Sequence, residues 1–307
     1  MSESLRRPPA LQPGDRVAVL SSSSPVNPDL LPDGLAALRF AGLDPVVYPS
    51  ARDGGSMRGY LAGDDALRSN DLRSALLDDS IAGILFACGG SGSQRTLEAL
   101  DWTGLDGIEP KVLVGFSDVT AVLEAVAVKL GWASVHGPVV IYGDRPSHAS
   151  LLRTLLRPAE AVELDFPDAK TAVAGTARGV TMGGNLCLLM ASIGTDTSWS
   201  ARGGILLLED ESEDDYRIDR MLTHLRRSGY LDGVAGIVCG HWDGCGEPEA
   251  IEAILAERLG DLGAPMITGV PIGHGGQNQA WPIGIAAELD ADARTVRLLD
   301  PPLVPAG

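Results

Sequence analysis

Short apolar runs alternate with helix-period stretches along the first half of the chain. Arg16 to Leu20 (RVAVL), Pro45 to Tyr48, Ile81 to Ala87 (IAGILFA) and Lys111 to Val114 show no apolar–polar alternation. Runs of this kind predict strands buried on both faces. Between them, Leu31 to Ala41, Asp65 to Leu77, a segment from about Gln94 and Val119 to Leu130 carry apolar residues at helical spacing. Strand and helix in this alternation predict a parallel sheet covered by helices. The pattern weakens from Tyr142 to Thr176, where Pro146, Pro158 and Pro167 fall among mixed charges. The expected organisation is therefore an N-terminal domain over residues 1–145, a connection over 146–176 and a C-terminal domain over 177–307. In the last of these, Gly183-Gly184-Asn185 precedes a helix to about Ser192. Strands are expected at Gly204 to Leu208 and Val234 to Cys239, helices at Tyr216 to Arg227 and Pro248 to Leu259, and a hairpin at Ile285 to Leu298. No repeat with a period of 20 to 50 residues is visible.

Composition narrows the class. The 307 residues are 45% hydrophobic and 21% charged, enough apolar matter to bury one large core or two ordinary ones. Lys and Arg number 24 against 41 Asp and Glu, a formal charge of −17, which argues against a nucleic-acid partner. No run of about 18 apolar residues predicts a membrane span, and Met1 to Asp15 has no apolar core of a signal peptide. A cytoplasmic protein is expected. Its four cysteines, Cys88, Cys187, Cys239 and Cys245, form no C-x-x-C pair and are expected to stay reduced. Cys239, His241, Asp243 and Cys245 alternate as candidate metal ligands but lack a second pair at zinc spacing, so no metal is expected.

Four segments could carry chemistry. Val112 to Thr120 (VLVGFSDVT) places Ser117 at a strand-to-helix junction, where a hydroxyl can stand beside the free N–H groups of a helix start. Ser117 or Asp118 as a simple helix cap is the competing explanation. Glu209 follows the apolar run Leu206 to Leu208 at what would be the C-terminal edge of a sheet. Six of the seven residues from Glu209 to Asp215 are acidic, which most simply reads as a solvated loop and helix start. His274 lies in the glycine-rich stretch Pro271 to Gly276 and could be structural or accessible. Cys88-Gly89-Gly90-Ser91-Gly92, after the third strand, offers backbone N–H groups to an anion or an oxyanion. It fits neither phosphate-loop nor dinucleotide spacing.

In order along the chain, these motifs resemble the LD-carboxypeptidase family of serine peptidases, which includes the microcin C self-immunity peptidases. The resemblance rests on Gly14 to Val19, Tyr60 to Asp65 with Arg68 and Asp71-Leu72, Gly89-Gly90 with Arg95, and Gly115 to Asp118 with Thr120. It continues through His136-Gly137-Pro138, Gly183 to Leu186, Leu208 to Asp210 with Tyr216 to Arg220, and Gly273-His274 with Pro282 to Gly284. It implies a Rossmann-like N-terminal domain with a parallel sheet, a smaller C-terminal α/β domain, a site between them and a homodimer. It implies Ser117 as nucleophile, Glu209 as acid and His274 as base, with Gly90 and Asp118 N–H groups as oxyanion donors. Gly89, Ser91 and Asn185 are expected at the substrate. The implied substrate is a small peptide, a cytosolic murein tetrapeptide that loses terminal D-alanine in peptidoglycan recycling. The alternative is an amidase for peptidyl- or aminoacyl-adenylates. No cofactor is implied. A non-catalytic peptide- or sugar-binding module and a metal hydrolase using Glu209 to Asp215 are the rivals of other classes. Two departures stand out. Typical members read R-G-G-Y-G where this chain has Cys88 to Gly92, so a fixed cation and an aromatic wall are missing. The long insertion of microcin-processing members is also absent.

Overall fold

A computed structural model of the chain describes residues 3–52, 55–143 and 147–306. β1 (Arg16–Leu20) leads to α1 (Leu31–Phe40), β2 (Asp44–Val47), the single turn α2 (Pro49–Arg52), and a small ribbon of β3 (Ser56–Met57) and β4 (Leu61–Ala62). Then come α3 (Asp65–Leu77), β5 (Ile81–Phe86), α4 (Ser93–Ala99), β6 (Val112–Gly115), α5 (Thr120–Leu130) and β7 (Ser134–His136). β2, β1, β5, β6 and β7 lie side by side in that order, all parallel. Their apolar runs are explained by the pleat. Val17, Val19, Leu85, Val112 and Val114 enter one core, while Ala18, Leu20, Ile84, Phe86 and Leu113 enter the core on the opposite face.

The stretch expected to be a connection contains α6 (Ser147–Leu156), β8 (Glu163–Asp165) and β9 (Lys170–Val173). The expected boundary at 145 and 146 lies outside the described residues. β10 (Thr176–Asn185), α7 (Leu186–Ser192), β11 (Gly204–Glu211), α8 (Asp215–Arg227), β12 (Gly236–Asp243), α9 (Pro248–Leu259) and β13 (Met266–Thr268) follow. The chain closes with β14 (Trp281–Ile283), β15 (Ala286–Asp290) and β16 (Thr295–Leu298). Among the described residues, eight strands form the second sheet in the order β8, β16, β15, β10, β11, β12, β13, β9. β10, β11, β12 and β13 are parallel, and β15, β16, β8 and β9 pair antiparallel. β8 and β9 close its two edges, so residues 163–173 belong to this sheet.

β14 crosses back to the first sheet and pairs antiparallel with β7, Trp281 opposite His136. The two sheets also share a core: Leu113, Phe116 and Trp132 pack in one cluster with Ile205, Leu207 and Val238. The opposite face of β11, Leu206 and Leu208, packs under α8 and α9 with Ile218, Leu222 and Ile251.

Helix α5, which begins just after Ser117, carries a buried acid. Glu124 is 5% exposed and accepts a hydrogen bond from the Trp199 N–H at 2.7 Å. Burial pushes its carboxyl up to about 7, against hydrogen bonds from Ser192 and Trp199 that pull the other way. The fold therefore favours the protonated acid, and stability falls as pH rises from the unfolded carboxyl range to about 7. Glu124→Gln, neutral throughout, is expected to stabilise the protein by about 3 kcal/mol near pH 8 and by little near pH 4. Urea denaturation at the two pH values checks this, and an equal effect at both would refute it.

Candidate active site

The loops after β1, β5 and β6 meet at the C-terminal edge of the first sheet, where open α/β sheets place their ligands. The β6 loop holds Ser117 at φ +61, a left-handed backbone that residues with a Cβ seldom adopt. A single 3-10 turn over Ser117–Val119 leads into α5. Such an elbow lifts the hydroxyl clear of the sheet. Gly89 permits the close approach: a Cβ there would stand 3.0 Å from Ser117 Cβ and 3.2 Å from its Oγ. Gly90, at φ +113, lies against Ser24, whose Oγ would be 2.1 Å from an added Cβ. The Ser91 N–H donates to that Ser24 Oγ at 3.1 Å.

Below the elbow, Asp118 is fixed by the serine-rich β1 loop. Its Oδ2 accepts from Ser23 Oγ at 2.6 Å and from the Ser93 N–H at 2.7 Å. Burial raises the Asp118 carboxyl, and these hydrogen bonds oppose the rise. Ser117 heads the helical turn, but Phe116 occupies the cap position with no side-chain capping bond. The capping explanation for Ser117 and Asp118 therefore has no hydrogen bond behind it.

Glu209 and His274 come from the second sheet. The pairing of β11 with β12 shifts register between Leu208 and Asp210, so Glu209 sits at an irregularity that re-aims its side chain. Its side chain is wholly buried. The loop after β13 reaches it only because residue 273 is glycine. At φ +96, a Cβ there would fall 2.3 Å from Glu209 Oε2. With that approach made, the His274 N–H donates to Oε2 at 2.9 Å, and Nδ1 lies 2.7 Å from the same oxygen. An Nδ1–H tautomer satisfies this contact and leaves Nε2 to face outward. Asn278 Oδ1 accepts from the Gly273 N–H at 2.9 Å and holds the loop closed. The Phe116 ring packs on His274 with centroids 4.7 Å apart.

Ser117 and His274 line one cleft of about 200 Å³, together with Ser24, Cys88, Gly89, Gly90, Tyr142 and Glu211. An adjoining cleft of about 180 Å³ shares His274 and Glu211 and adds Pro138, Asp243 and Asn278. No Lys or Arg is among the described residues lining either cleft. The contact of His274 Nε2 is with Glu211, whose Oε1 lies 3.1 Å away. Burial by itself would lower the His274 imidazole, but Glu209 and Glu211 hold it well above the usual histidine range. Burial would likewise raise Glu209, but His136 and His274 hold its carboxyl well below the usual range.

Asn185 lies just outside this group. Its Oδ1 caps α7 by accepting from the Leu188 N–H, and its Nδ2 donates to Asp210 Oδ1 at 2.9 Å. With 4% exposure, its side chain is engaged within the protein. Among the described residues, no group of three or more His, Cys, Asp or Glu is arranged to hold a metal. Burial pushes the Cys239 thiol up to about 12 and Cys245 to about 11. Sequence reasoning missed Glu211, Asp243 and Tyr142 as cleft residues. β11 runs on to Glu211 and β12 to Asp243, where the two pair in register. The acidic run had suggested that the strand ended at Leu208. Glu209, Asp210 and Glu211 are all acidic and show no apolar–polar alternation, so the run itself gives no signal that the strand continues.

Two family models match: the LD-carboxypeptidase N-terminal domain over residues 17–137 and the LD-carboxypeptidase C-terminal domain over residues 178–289. The chain belongs to the LD-carboxypeptidase family. A putative carboxypeptidase of Streptomyces coelicolor is 45% identical over 99% of both chains. The murein tetrapeptide carboxypeptidase of Pseudomonas aeruginosa is 32% identical, over 92% of this chain and 95% of its own. Among solved structures, the microcin C7 self-immunity protein in complex with glutamyl sulfamoyl guanosine superposes with a TM-score of 0.87 at 22% identity, over 97% of this chain and 99% of that one. This last likeness shows the shared fold. It agrees with the two-part α/β architecture expected from the sequence.

Glu211 generates a pH prediction for this LD-carboxypeptidase family member. Its carboxylate stabilises protonated His274, so Glu211→Gln is expected to lower the His274 pKa by roughly one unit. The imidazole Cε1–H resonance, followed by NMR titration, reads this directly. A shift upward, or none, would show that Glu211 does not act on the ring.

Proposed function

We propose that the chain is a serine carboxypeptidase that hydrolyses an amide bond through an acyl-enzyme. The observation that carries this reading is the imidazole of His274, oriented at 2.7 Å by a buried carboxylate, on a cleft whose lining includes the elbow serine. In this mechanism Glu211 takes the Nε2 proton of the imidazolium and moves away as substrate enters, leaving a neutral ring. Nε2 then takes the Ser117 Oγ proton as Oγ bonds to the substrate carbonyl carbon. Glu209 holds the ring and offsets the charge of the imidazolium. The oxyanion is received by the N–H groups of Gly90 and Asp118, each worth roughly 3 kcal/mol in comparable enzymes. Collapse expels the amine, which leaves with the proton from His274. Water then repeats the sequence on the acyl-enzyme, giving the free acid and restoring Ser117.

For the substrate, the Pseudomonas relative's name supports a murein tetrapeptide, here cleaved to release terminal D-alanine. Gly89 borders the serine, and Gly89, Ser91 and Asn185 are proposed to contribute to holding this peptide. The role is peptidoglycan recycling in the cytoplasm, with the working form a homodimer. In keeping with this, no helix among the described residues is long and apolar enough to cross a membrane.

One observation favours a second reading. The clefts are walled by Glu211 and Asp243, no Lys or Arg is among their described lining residues, and Cys88 stands where typical members carry arginine. Among the described lining residues a terminal carboxylate meets no cation, whereas an ammonium-bearing aminoacyl-adenylate would meet two acids. Mass spectrometry separates the readings. The wild type is expected to remove one alanine from a muramyl tetrapeptide ending in D-alanine, and Ser117→Ala is expected to remove none while staying folded. Turnover by Ser117→Ala would defeat the mechanism. Cleavage of an aminoacyl-sulfamoyl-adenosine in place of the tetrapeptide would select the second reading.

A further inference from the structure

Glu209 uses one oxygen for His274. Oε2 accepts both the backbone N–H and Nδ1, while Oε1 is buried with no hydrogen-bond partner. The group that faces Oε1 is His136, on β7 of the other sheet, its Nε2 3.8 Å away. His136 is 0% exposed, and neither ring nitrogen has a hydrogen-bond partner within the described structure. Two orphaned groups buried against each other indicate a donor and an acceptor. The ring is closely confined. Phe116 meets it edge-on with centroids 5.8 Å apart, and a Cβ on Gly184 would lie 3.2 Å from its Cδ2. Trp281 is its cross-strand partner.

We infer that His136 is a positioning residue, whose Nε2–H is aimed at Glu209 Oε1 so that Oε2 is presented to His274. This rests on the Ser117–Glu209–His274 reading above. The alternative orientation of the carboxylate would leave an oxygen anion buried without a donor, a costly state. The 3.8 Å gap from Nε2 to Oε1 is longer than a hydrogen bond, and catalytic contacts of this length commonly tighten in the complex with substrate. The titratable groups facing Glu209 are His274 from the β13–β14 loop and His136 from β7. Asp210 turns away to Asn185 and the Cys187 N–H, Glu211 acts through the His274 ring, and β12 presents Gly240. A donor on Oε1 draws negative charge from Oε2. Without it, more charge faces Nδ1, the imidazolium is favoured, and the acid limb of the pH–rate profile moves to higher pH.

Ring-¹⁵N NMR of the wild type tests the geometry independently of turnover. The expected result is a proton on His136 Nε2 and a ring signal that moves in Glu209→Gln. A bare Nε2, or a signal indifferent to Glu209, overturns the inference. Kinetics test the role. His136→Phe keeps a ring but no donor and is expected to lose at least about tenfold in kcat with KM little changed, its acid limb shifted upward. His136→Gln restores a donor and is expected to stay within about threefold of wild type with the limb in place. Equal losses in both variants with an unmoved limb would reduce His136 to a space-filling ring. A wild type that labels with no fluorophosphonate and cleaves no peptide would defeat the Ser117 reading, whereas the NMR result judges His136 alone.

Discussion

The structure depends on one buried charge. Glu209 is sealed from water, so every stabilising partner must come from the chain itself. His274 supplies two N–H groups to one oxygen. To bring them there, the loop must pass within contact distance of the carboxylate, which Gly273 allows, and β11 must break register with β12. Gly240 answers the same need from β12, since a Cβ there would lie 3.1 Å from Glu209 Cβ. The acid, the irregular strand and the two glycines are one arrangement.

The opposite wall of the cleft is built on strain. Ser117 adopts a backbone region that disfavours its side chain, and such a conformation persists only where its surroundings over-determine it. Here the support is polar and deep. Ser22, Ser23 and Ser93 are wholly buried and linked by hydroxyl contacts of 2.8 to 3.4 Å, and they anchor Asp118 one residue from the elbow. The β1 loop, whose Ser24 also lines the cleft, thereby holds the serine turn in shape. Joining the two walls is a mechanical matter. β14 leaves the second half of the chain and pairs with β7, fixing the sheets against each other through a shared apolar core.

The electrostatics of the cleft set it apart from a simple hydrolytic triad. Two carboxylates hold His274 from opposite ring nitrogens. An imidazole clamped in this way favours its cation, whereas a general base must be neutral at the moment of attack. In the proposed mechanism the conflict ends when Glu211 carries off the Nε2 proton as substrate enters. Glu211 and Asp243 give the pocket a negative wall in a chain already carrying a formal charge of −17. Glu211, Asp243 and Cys88 therefore stand on the clefts where a substrate would meet them.

Much of this was legible along the chain. Arg16–Leu20, Asp65–Leu77 and Pro248–Leu259 are found where apolar period placed them, because runs buried on both faces and amphipathic helices are local patterns. Ser117, Glu209 and His274 each stood out as a chemically apt residue at a loop or strand end. The outer strands β8 and β9, and β14, were not legible. Each is three or four residues long, and its pairing is set by a distant strand rather than by its own sequence. Nor could spacing show that Glu211 reaches Nε2 of His274 or that His136 faces Glu209, contacts spanning 63 and 73 positions. The sequence by itself determined which segments bury both faces and which residues have the chemistry to react. Only the tertiary structure decided which of them meet, because a buried charge takes its partners from whatever the packing of two sheets brings within reach.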